Sequence, residues 1–235
     1  MKNIIIASTS TIHGSGYLEY LLDDLDNHFK NSKTILFIPY ARPGGISHDD
    51  YTAMVKKGFS NLNKIVKGIH EFENPAEAVR QAEAIFVGGG NTFVLTYQLY
   101  KNQLIKPLQD AVKNGTPYLG TSAGSNICGL TIKTTNDMPI VYPPSFNALA
   151  LVPFNINPHY LDPDPTSKHM GETRETRINE FHHYNSPPVI GLREGSWLNV
   201  KGESIILNGP LTARVFEYNK PPYEIESSTQ LNYLV

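Results

Sequence analysis

The sequence predicts an α/β fold, with a doubly wound, mainly parallel sheet and a C-terminal antiparallel extension. Short apolar runs alternate with helix-like segments over residues 3–120, and such alternation with short loops is typical of a parallel sheet covered on both faces. Residues 188–218 read instead as successive strands, because turn sequences at 201–204 and 208–210 divide that stretch. Since no clear linker interrupts the chain, we expect a single domain, residues 1–235.

The first strands are predicted from short runs of β-branched and aromatic residues, which lie at 3–8, 33–41, 64–69, 84–90 and 117–120. Helices are predicted between them from helical spacing of apolar residues and from start and stop residues, at 16–30, 48–60, 75–83 and 91–115. Residues 131–170 show little helical period, and a polar helix is expected near 171–183. Because parallel strands end at one edge, "GGGN" (88–91) and "GTSAG" (120–124) should both lie there.

Composition narrows the class of protein. The chain has 235 residues, of which 40% are hydrophobic, and a formal net charge of −2, so we expect a folded domain with one sizeable core. The sequence has no basic stripe that would predict nucleic-acid binding and no polybasic patch that would predict membrane binding. A small neutral or zwitterionic partner is therefore favoured. The one cysteine, Cys128, excludes an intrachain disulfide and is expected to be a buried small hydrophobe. The apolar start is too short for a signal peptide, so a cytoplasmic location is expected.

A Gly-x-Ser-x-Gly sequence at 120–124 makes Ser122 a candidate nucleophile. A serine on a tight strand-to-helix turn has its hydroxyl raised above the sheet edge, and a helix that begins at Ser122 would favour a developing oxyanion. The N–H of Ala123 would be one oxyanion donor, and Gly90, or else Gly89, would supply the second. The alternative is a plain glycine-rich turn, since the pattern is common by chance, and the three glycines alone would also suit a phosphate-binding turn.

A serine nucleophile needs a base, and the base needs an acid that orients it. We favour His159 as the base because it follows a strand-like run and a proline; His13 is an alternative. The remaining candidates are in surface-like contexts (His28, His70) or on the polar helix (His182, His183). Glu194, just after a buried-type strand, and Asp137 are the candidate acids. Asp137 follows Ser122 too closely for the chain order of α/β-hydrolases, so that fold is not expected.

Six segments that occur in order are specific when taken together: "IFVGGGNTF" (85–93), "GTSAGSN" (120–126), "TTNDMPI" (134–140), "INPHY" (156–160), "GETRETRI" (171–178) and "GLREGSW" (191–197). On these segments the chain resembles the dipeptidase E family, the α-aspartyl dipeptidases. The resemblance implies a glutamine-amidotransferase-like fold and a serine peptidase that cleaves dipeptides with an N-terminal aspartate through an acyl-enzyme. It implies Ser122 as nucleophile, His159 as base and Glu194 as acid, with Gly90 and Ala123 in the oxyanion hole.

Such a small peptide substrate, Asp-X, presents a carboxylate and an ammonium group. Recognition then calls for an arginine fork on the carboxylate and an acidic side chain on the ammonium group. We expect Arg174 to bind the aspartyl side chain, with Glu172 as a further substrate-binding residue and Asp137 as an ammonium partner or auxiliary acid. The alternative for 171–178 is a solvated helix face with spaced opposite charges.

No metal and no cofactor are expected, since "SHDD" (47–50) reads as a helix start and His169, His182 and His183 lack the spacing of a metal centre. A homodimer is one assembly that the sequence permits. Two other functions stay open at this point. One is a cyanophycinase-like peptidase, or another exopeptidase of the same fold, that differs in its pocket loops. The other is a non-catalytic module that binds a small molecule and keeps the turn geometry.

Overall fold

The computed structural model describes residues 1–164, 166, 168 and 170–234, so His169 lies outside the described residues. A seven-stranded sheet has the order β3-β2-β4-β5-β1-β8-β9. The first five strands in this order pair in parallel, while β8 pairs antiparallel with β1 and β9 antiparallel with β8. Its strands are β1 (Asn3–Ala7), β2 (Thr34–Ile38), β3 (Ile65–Gly68), β4 (Ile85–Val87), β5 (Tyr118–Thr121), β8 (Trp197–Lys201) and β9 (Ser204–Asn208). This arrangement confirms the predicted α/β class.

A second sheet of four strands has the order β11-β10-β7-β6. Its strands are β6 (Asn155–Pro158), β7 (Val189–Leu192), β10 (Ala213–Phe216) and β11 (Tyr223–Ile225). The C-terminal strands are therefore divided between two sheets, and β6 pairs with β7 in parallel rather than antiparallel. Sequence pattern could not show this division, because both sets of strands are equally apolar and turn-bounded.

Seven α-helices and three short 3₁₀ turns connect the strands in the described part of the chain. The helices are α1 (Leu22–His28), α2 (His48–Gly58), α3 (Pro75–Arg80), α4 (Thr92–Lys101), α5 (Ile105–Lys113), α6 (Ala123–Asn126) and α7 (Arg174–Phe181). The helix expected over 16–30 begins later, because Leu18 adopts a left-handed conformation (φ +59°) ahead of a 3₁₀ turn at Glu19–Leu21. No helix of these described residues is long and apolar enough to cross a membrane.

The core lies on both faces of the large sheet. Ile4 and Ile6 of β1 contact one apolar cluster and Ile5 contacts the other, and all three are buried. This burial on both faces explains the continuous apolar run, which is the mark of a central parallel strand. Cys128 is also buried, as predicted, and burial raises the pKa of its thiol to about 12, so it stays a neutral, packed side chain.

His28 was expected at the surface, but the structure buries it at the end of α1. Its Nε2 lies 3.1 Å from the carbonyl oxygen of Tyr118, so the neutral ring donates a hydrogen bond from Nε2. Burial disfavours the imidazolium and lowers the pKa of His28 from 6.5 to about 4. The spacing of apolar residues along the helix did not predict the burial of His28, because its polar ring reaches the core beside Phe29.

We expect the burial of His28 to make stability fall as pH falls from about 6.5 to 4. In that window the unfolded chain binds a proton that the folded chain excludes, so the free energy of unfolding decreases by up to about 3 kcal/mol. Above about pH 6.5 His28 is neutral in both the folded and the unfolded chain, so the free energy of unfolding no longer depends on its titration. Urea unfolding at pH 7, 5.5 and 4.5 should show a shallower decline for His28→Gln than for wild type, whereas the exposed-site control His183→Gln should follow wild type. An identical decline in His28→Gln would contradict this account.

Candidate active site

Ser122 lies between β5 and α6, at the carboxyl edge of the large sheet. Its backbone (φ +54°, ψ −111°) is outside the regions that residues with a side chain prefer. The turn is fixed because the Ser122 N–H donates to the Ala7 carbonyl (3.2 Å), and the Ser122 carbonyl accepts from Ser125 and Asn126. Such a strained strand-to-helix turn presents the hydroxyl above the sheet edge.

The helix that follows Ser122 is short. It spans the four residues of α6, with Ser122 in the capping position before it, so the helix dipole at this position is that of a single turn. What remains at this position is local: the N–H of Ala123, in the first position of the helix, has no carbonyl four residues back to bind.

His159 directly follows β6 and lies within reach of Ser122. Its Nε2 is 2.9 Å from the Ser122 Oγ, and its backbone adopts φ +55°. Ser8, at the end of β1, holds this conformation: its buried Oγ accepts from the His159 N–H (2.9 Å) and donates to the Leu192 carbonyl (2.7 Å). One side chain thus ties the end of the large sheet to both β6 and β7 of the small sheet.

Glu194 follows β7 and completes a line of three side chains. Its Oε1 lies 2.6 Å from the His159 Nδ1, while His159 Nε2 faces Ser122. A carboxylate within hydrogen-bond distance of Nδ1 favours the tautomer with the proton on Nδ1, so that Nε2 is free to accept the serine proton. Since β6 and β7 are parallel neighbours, their carboxyl ends bring His159 and Glu194 together.

Arg193, next to Glu194, anchors the surrounding loops. Its guanidinium forms a bidentate pair with Asp162 (2.8 and 2.7 Å) and also donates to Glu224 and to the carbonyl and hydroxyl of Thr212. Although burial opposes it, hydrogen bonds from Arg193, Thr212 and Arg214 lower the pKa of Glu224 to about 2. The segment after His159 is therefore tied to the start of the Glu194 turn by a charged network that persists across the neutral pH range.

Of the three glycines after β4, Gly89 lies against Ser122. A Cβ added to Gly89 would be 3.0 Å from the Ser122 Cβ, and one added to Gly90 (φ +143°) would overlap the Ala41 carbonyl. The N–H groups at either end of the turn are used by the fold, Gly88 on Ile38 and Asn91 on Ala41. Those of Gly89 and Gly90 have no acceptor among the described residues, as an oxyanion hole requires.

Asp137 forms no hydrogen bond with His159 in the described part of the chain. Its Oδ2 accepts hydrogen bonds from the Thr92 N–H (2.7 Å) and the Thr135 hydroxyl (3.1 Å), which places it at the start of α4. Of the two candidate acids, Glu194 is therefore the one in position to orient the His159 ring. Asp137 stays near the site, because its neighbour Asn136 bonds to the carbonyl of Pro158.

Arg174 and Glu172 lie at the start of α7 and differ in their surroundings. Arg174 is half-buried, and no salt bridge engages it within the described residues. Burial and the neighbouring Arg177 lower its pKa, and the charge of Asp137 opposes this shift, so Arg174 and Asp137 are electrostatically coupled. Glu172 is exposed and lies 3.7 Å from Arg177.

The other histidines make structural contacts or none. His13 is exposed, His70 pairs with Asp49 at 2.9 Å, and His182 lies 3.0 Å from the Pro187 carbonyl. Across the described ranges, no group of three or more His, Cys, Asp or Glu side chains has the arrangement of a metal site.

The arrangement as a whole is suited to acyl transfer. It offers a hydroxyl on a strained turn, an imidazole within hydrogen-bond distance of it, a carboxylate on the far side of the ring, and free backbone N–H groups beside the hydroxyl. These are the elements that activate a serine and stabilise a tetrahedral oxyanion.

Known proteins share both the sequence and the fold. The model of "Peptidase family S51" matches residues 4–208. A "Probable alpha-aspartyl dipeptidase" of Drosophila melanogaster is 48% identical over 237 residues, covering 100% of this chain and 98% of that protein. "Peptidase E" of Streptomyces coelicolor is 47% identical over 233 residues, covering 99% and 95%. A peptidase structure from an acI-B1 Actinobacterium matches with a TM-score of 0.73 at 15% identity, covering 98% and 96%, so the two chains share a fold.

Proposed function

Because the chain belongs to peptidase family S51, and is accordingly a serine peptidase, we propose that it hydrolyses dipeptides with an N-terminal aspartate. The observation that carries the chemistry is the position of His159, with Ser122 Oγ 2.9 Å from one ring nitrogen and Glu194 Oε1 2.6 Å from the other. The substrate class follows from relatives that bear the names alpha-aspartyl dipeptidase and peptidase E over nearly the whole chain.

In the proposed reaction, His159 Nε2 takes the proton from Ser122 as Oγ attacks the peptide carbonyl carbon. Glu194 holds the ring and stabilises the imidazolium that forms. The imidazolium then protonates the leaving amine, which departs as the free second amino acid. Water, activated by the same imidazole, attacks the aspartyl ester and releases aspartate, so that Ser122 regains its proton.

The oxyanion of each tetrahedral intermediate is stabilised by backbone N–H groups. Ala123 supplies one donor and Gly90 the other, with Gly89 as the adjacent alternative because its Cα faces Ser122. These donors are fixed before the reaction begins, so they require little reorganisation when charge develops on the oxygen.

Recognition of the aspartyl residue is assigned to Arg174 and Asp137. Arg174 offers a half-buried guanidinium that the described residues leave without an ion pair, and a planar guanidinium binds a carboxylate in a bidentate manner. Asp137 is coupled electrostatically to Arg174 and is free to bind the substrate ammonium with its second oxygen. Glu172 pairs with Arg177 at the exposed side and is the weaker candidate.

The alternatives that the sequence left open are not favoured. A cyanophycinase-like activity or another exopeptidase preference finds no support in the relatives' names, and a non-catalytic binding module does not require an aligned Ser, His and Glu. Rates on Asp-Leu, Ala-Leu and a β-aspartyl dipeptide test the assignment. A clear preference for Asp-Leu supports it, whereas equal rates, or a preference for the β-aspartyl peptide, would overturn it.

We expect Arg174→Ala to lose the preference for aspartate. Loss of a charge-assisted, partly desolvated pair costs on the order of 10²-fold in kcat/KM for Asp-Leu, and the rate on Ala-Leu should change little. Arg177→Ala on the same helix is the matched control, because that side chain is exposed. If Arg174→Ala kept the Asp-Leu to Ala-Leu ratio of wild type, the role of Arg174 would be wrong.

A further inference from the structure

We propose that Tyr51 is a positioning residue that aims the oxyanion donor of the glycine turn. It acts through the peptide between Gly89 and Gly90, and it touches neither the substrate nor Ser122. The proposal rests on the proposed function, since it concerns the stabilisation of the same tetrahedral intermediate. Nothing in the sequence pattern distinguishes Tyr51, which lies on α2 about seventy residues before the serine.

The Tyr51 side chain is buried and tightly held. Its ring packs edge-on against Phe37, with centroids 4.9 Å apart and an interplanar angle of 87°, and the Arg42 guanidinium lies 5.3 Å from its ring centroid. Its hydroxyl donates a hydrogen bond to the Gly89 carbonyl (3.2 Å) across the base of the turn. This buried hydroxyl, which also interacts with the Tyr17 side chain, thus binds a backbone carbonyl at the active-site edge.

The Gly89 carbonyl and the Gly90 N–H belong to one planar peptide unit. In a trans peptide these two groups point in opposite directions. By binding the carbonyl from the α2 side, Tyr51 fixes the rotation of the whole unit and directs the Gly90 N–H away from itself. Glycines have wide rotational freedom, so this unit would otherwise adopt several orientations.

The rest of the turn is held elsewhere and leaves this unit to Tyr51. Gly88 and Asn91 are bonded through their N–H groups to Ile38 and Ala41. Gly88 also lets Tyr51 approach, because a Cβ at that position would lie 2.6 Å from the Tyr51 hydroxyl oxygen. The outer peptides are therefore anchored to β2 and its following loop, and the peptide between Gly89 and Gly90 is anchored by the tyrosine hydroxyl.

Loss of the Tyr51 hydrogen bond should affect the transition state rather than the bound substrate. A disordered donor weakens stabilisation of the oxyanion, while binding of the neutral ground-state carbonyl depends little on it. Removal of one whole oxyanion donor typically costs about 10²–10³-fold in rate. Since loss of Tyr51 would loosen the donor rather than remove it, we expect about a 10-fold decrease in kcat with little change in KM.

The test is Tyr51→Phe, which removes the hydroxyl and keeps the ring against Phe37. Its kcat and KM on Asp-Leu are compared with those of wild type and of Tyr100→Phe. Tyr100 also donates its hydroxyl to a backbone carbonyl, that of Asn147, but lies at the far end of α4. Thermal unfolding of all three proteins reports any loss of fold separately from the loss of rate.

A second readout is the affinity for aspartyl aldehyde, the aldehyde analogue of aspartate. Ser122 Oγ adds to the aldehyde carbon and its proton passes to His159, which gives a tetrahedral adduct with an oxyanion but no leaving group. We expect the Ki for this compound to rise in Tyr51→Phe by the same factor as kcat/KM falls, and to stay unchanged in Tyr100→Phe.

Three outcomes are informative. A fall in kcat with a matching rise in Ki supports the proposal. An unchanged kcat and Ki, or a rise in KM alone, overturns it, because Tyr51 then stabilises only the fold or substrate binding. If wild type fails to hydrolyse Asp-Leu at all, the proposed function itself fails, and that result is distinct from an effect of Tyr51.

Discussion

Ser122→Ala is expected to lower kcat on Asp-Leu by on the order of 10⁶-fold, the scale found when the nucleophile of a serine peptidase is removed. The physical reason is that the 2.9 Å contact with His159 Nε2 loses its oxygen, so no covalent acyl-enzyme can form. Alanine retains the Cβ and therefore the backbone strain at φ +54°, so the fold and KM should change little. Steady-state kinetics with thermal unfolding as a control measure both effects.

The three side chains should also act as one unit. Adding His159→Ala to Ser122→Ala should reduce the rate no further, because a base without its nucleophile contributes nothing. An additive loss in the double variant would show that His159 acts in another way. Residual activity above the uncatalysed rate is expected in every variant, since the oxyanion donors and substrate binding remain.

Glu194→Gln is expected to lower kcat by about 10⁴-fold, with KM nearly unchanged. Glutamine keeps the size of the side chain but removes the negative charge that stabilises the imidazolium at 2.6 Å. It can also present its amide N–H to Nδ1, which favours the wrong tautomer of His159. Kinetics on Asp-Leu give the loss, and Glu203→Gln, an exposed carboxylate between β8 and β9, serves as the matched control.

This prediction also separates the two candidate acids. Asp137 binds the Thr92 N–H at the start of α4 and is assigned to the substrate ammonium, so Asp137→Asn should act mainly by raising KM. A larger fall in kcat for Asp137→Asn than for Glu194→Gln would reverse the two roles.

The sequence predicted those parts of the molecule that depend on local pattern. Alternating strands and helices gave the α/β class, and the strand-end position of Ser122 and His159 made them candidates before any geometry was known. Local pattern alone did not separate Glu194 from Asp137, because both acids follow strand-like or turn-like segments, and only the family resemblance favoured Glu194. The choice between them depends on the parallel pairing of β6 with β7, which no local pattern encodes.

The residues that sequence reasoning missed act over long separations. Ser8 binds the backbone of a residue 151 positions away, and Tyr51 binds one 38 positions away. Arg193 joins Asp162 to Glu224 across the small sheet. For Ser8 a signal existed, since it is the first polar residue after β1 at the carboxyl edge of the sheet. Tyr51 had none, because a tyrosine on a helix is normally a core residue.

We propose that Ser122, activated by His159 that Glu194 orients, cleaves Asp-X dipeptides. The most direct test of this proposal is the release of leucine from Asp-Leu and Ala-Leu, at equal concentration, by wild type and Ser122→Ala. We expect rapid release from Asp-Leu by wild type, far slower release from Ala-Leu, and almost none from either by Ser122→Ala. Hydrolysis of Asp-Leu by folded Ser122→Ala at the wild-type rate would contradict it.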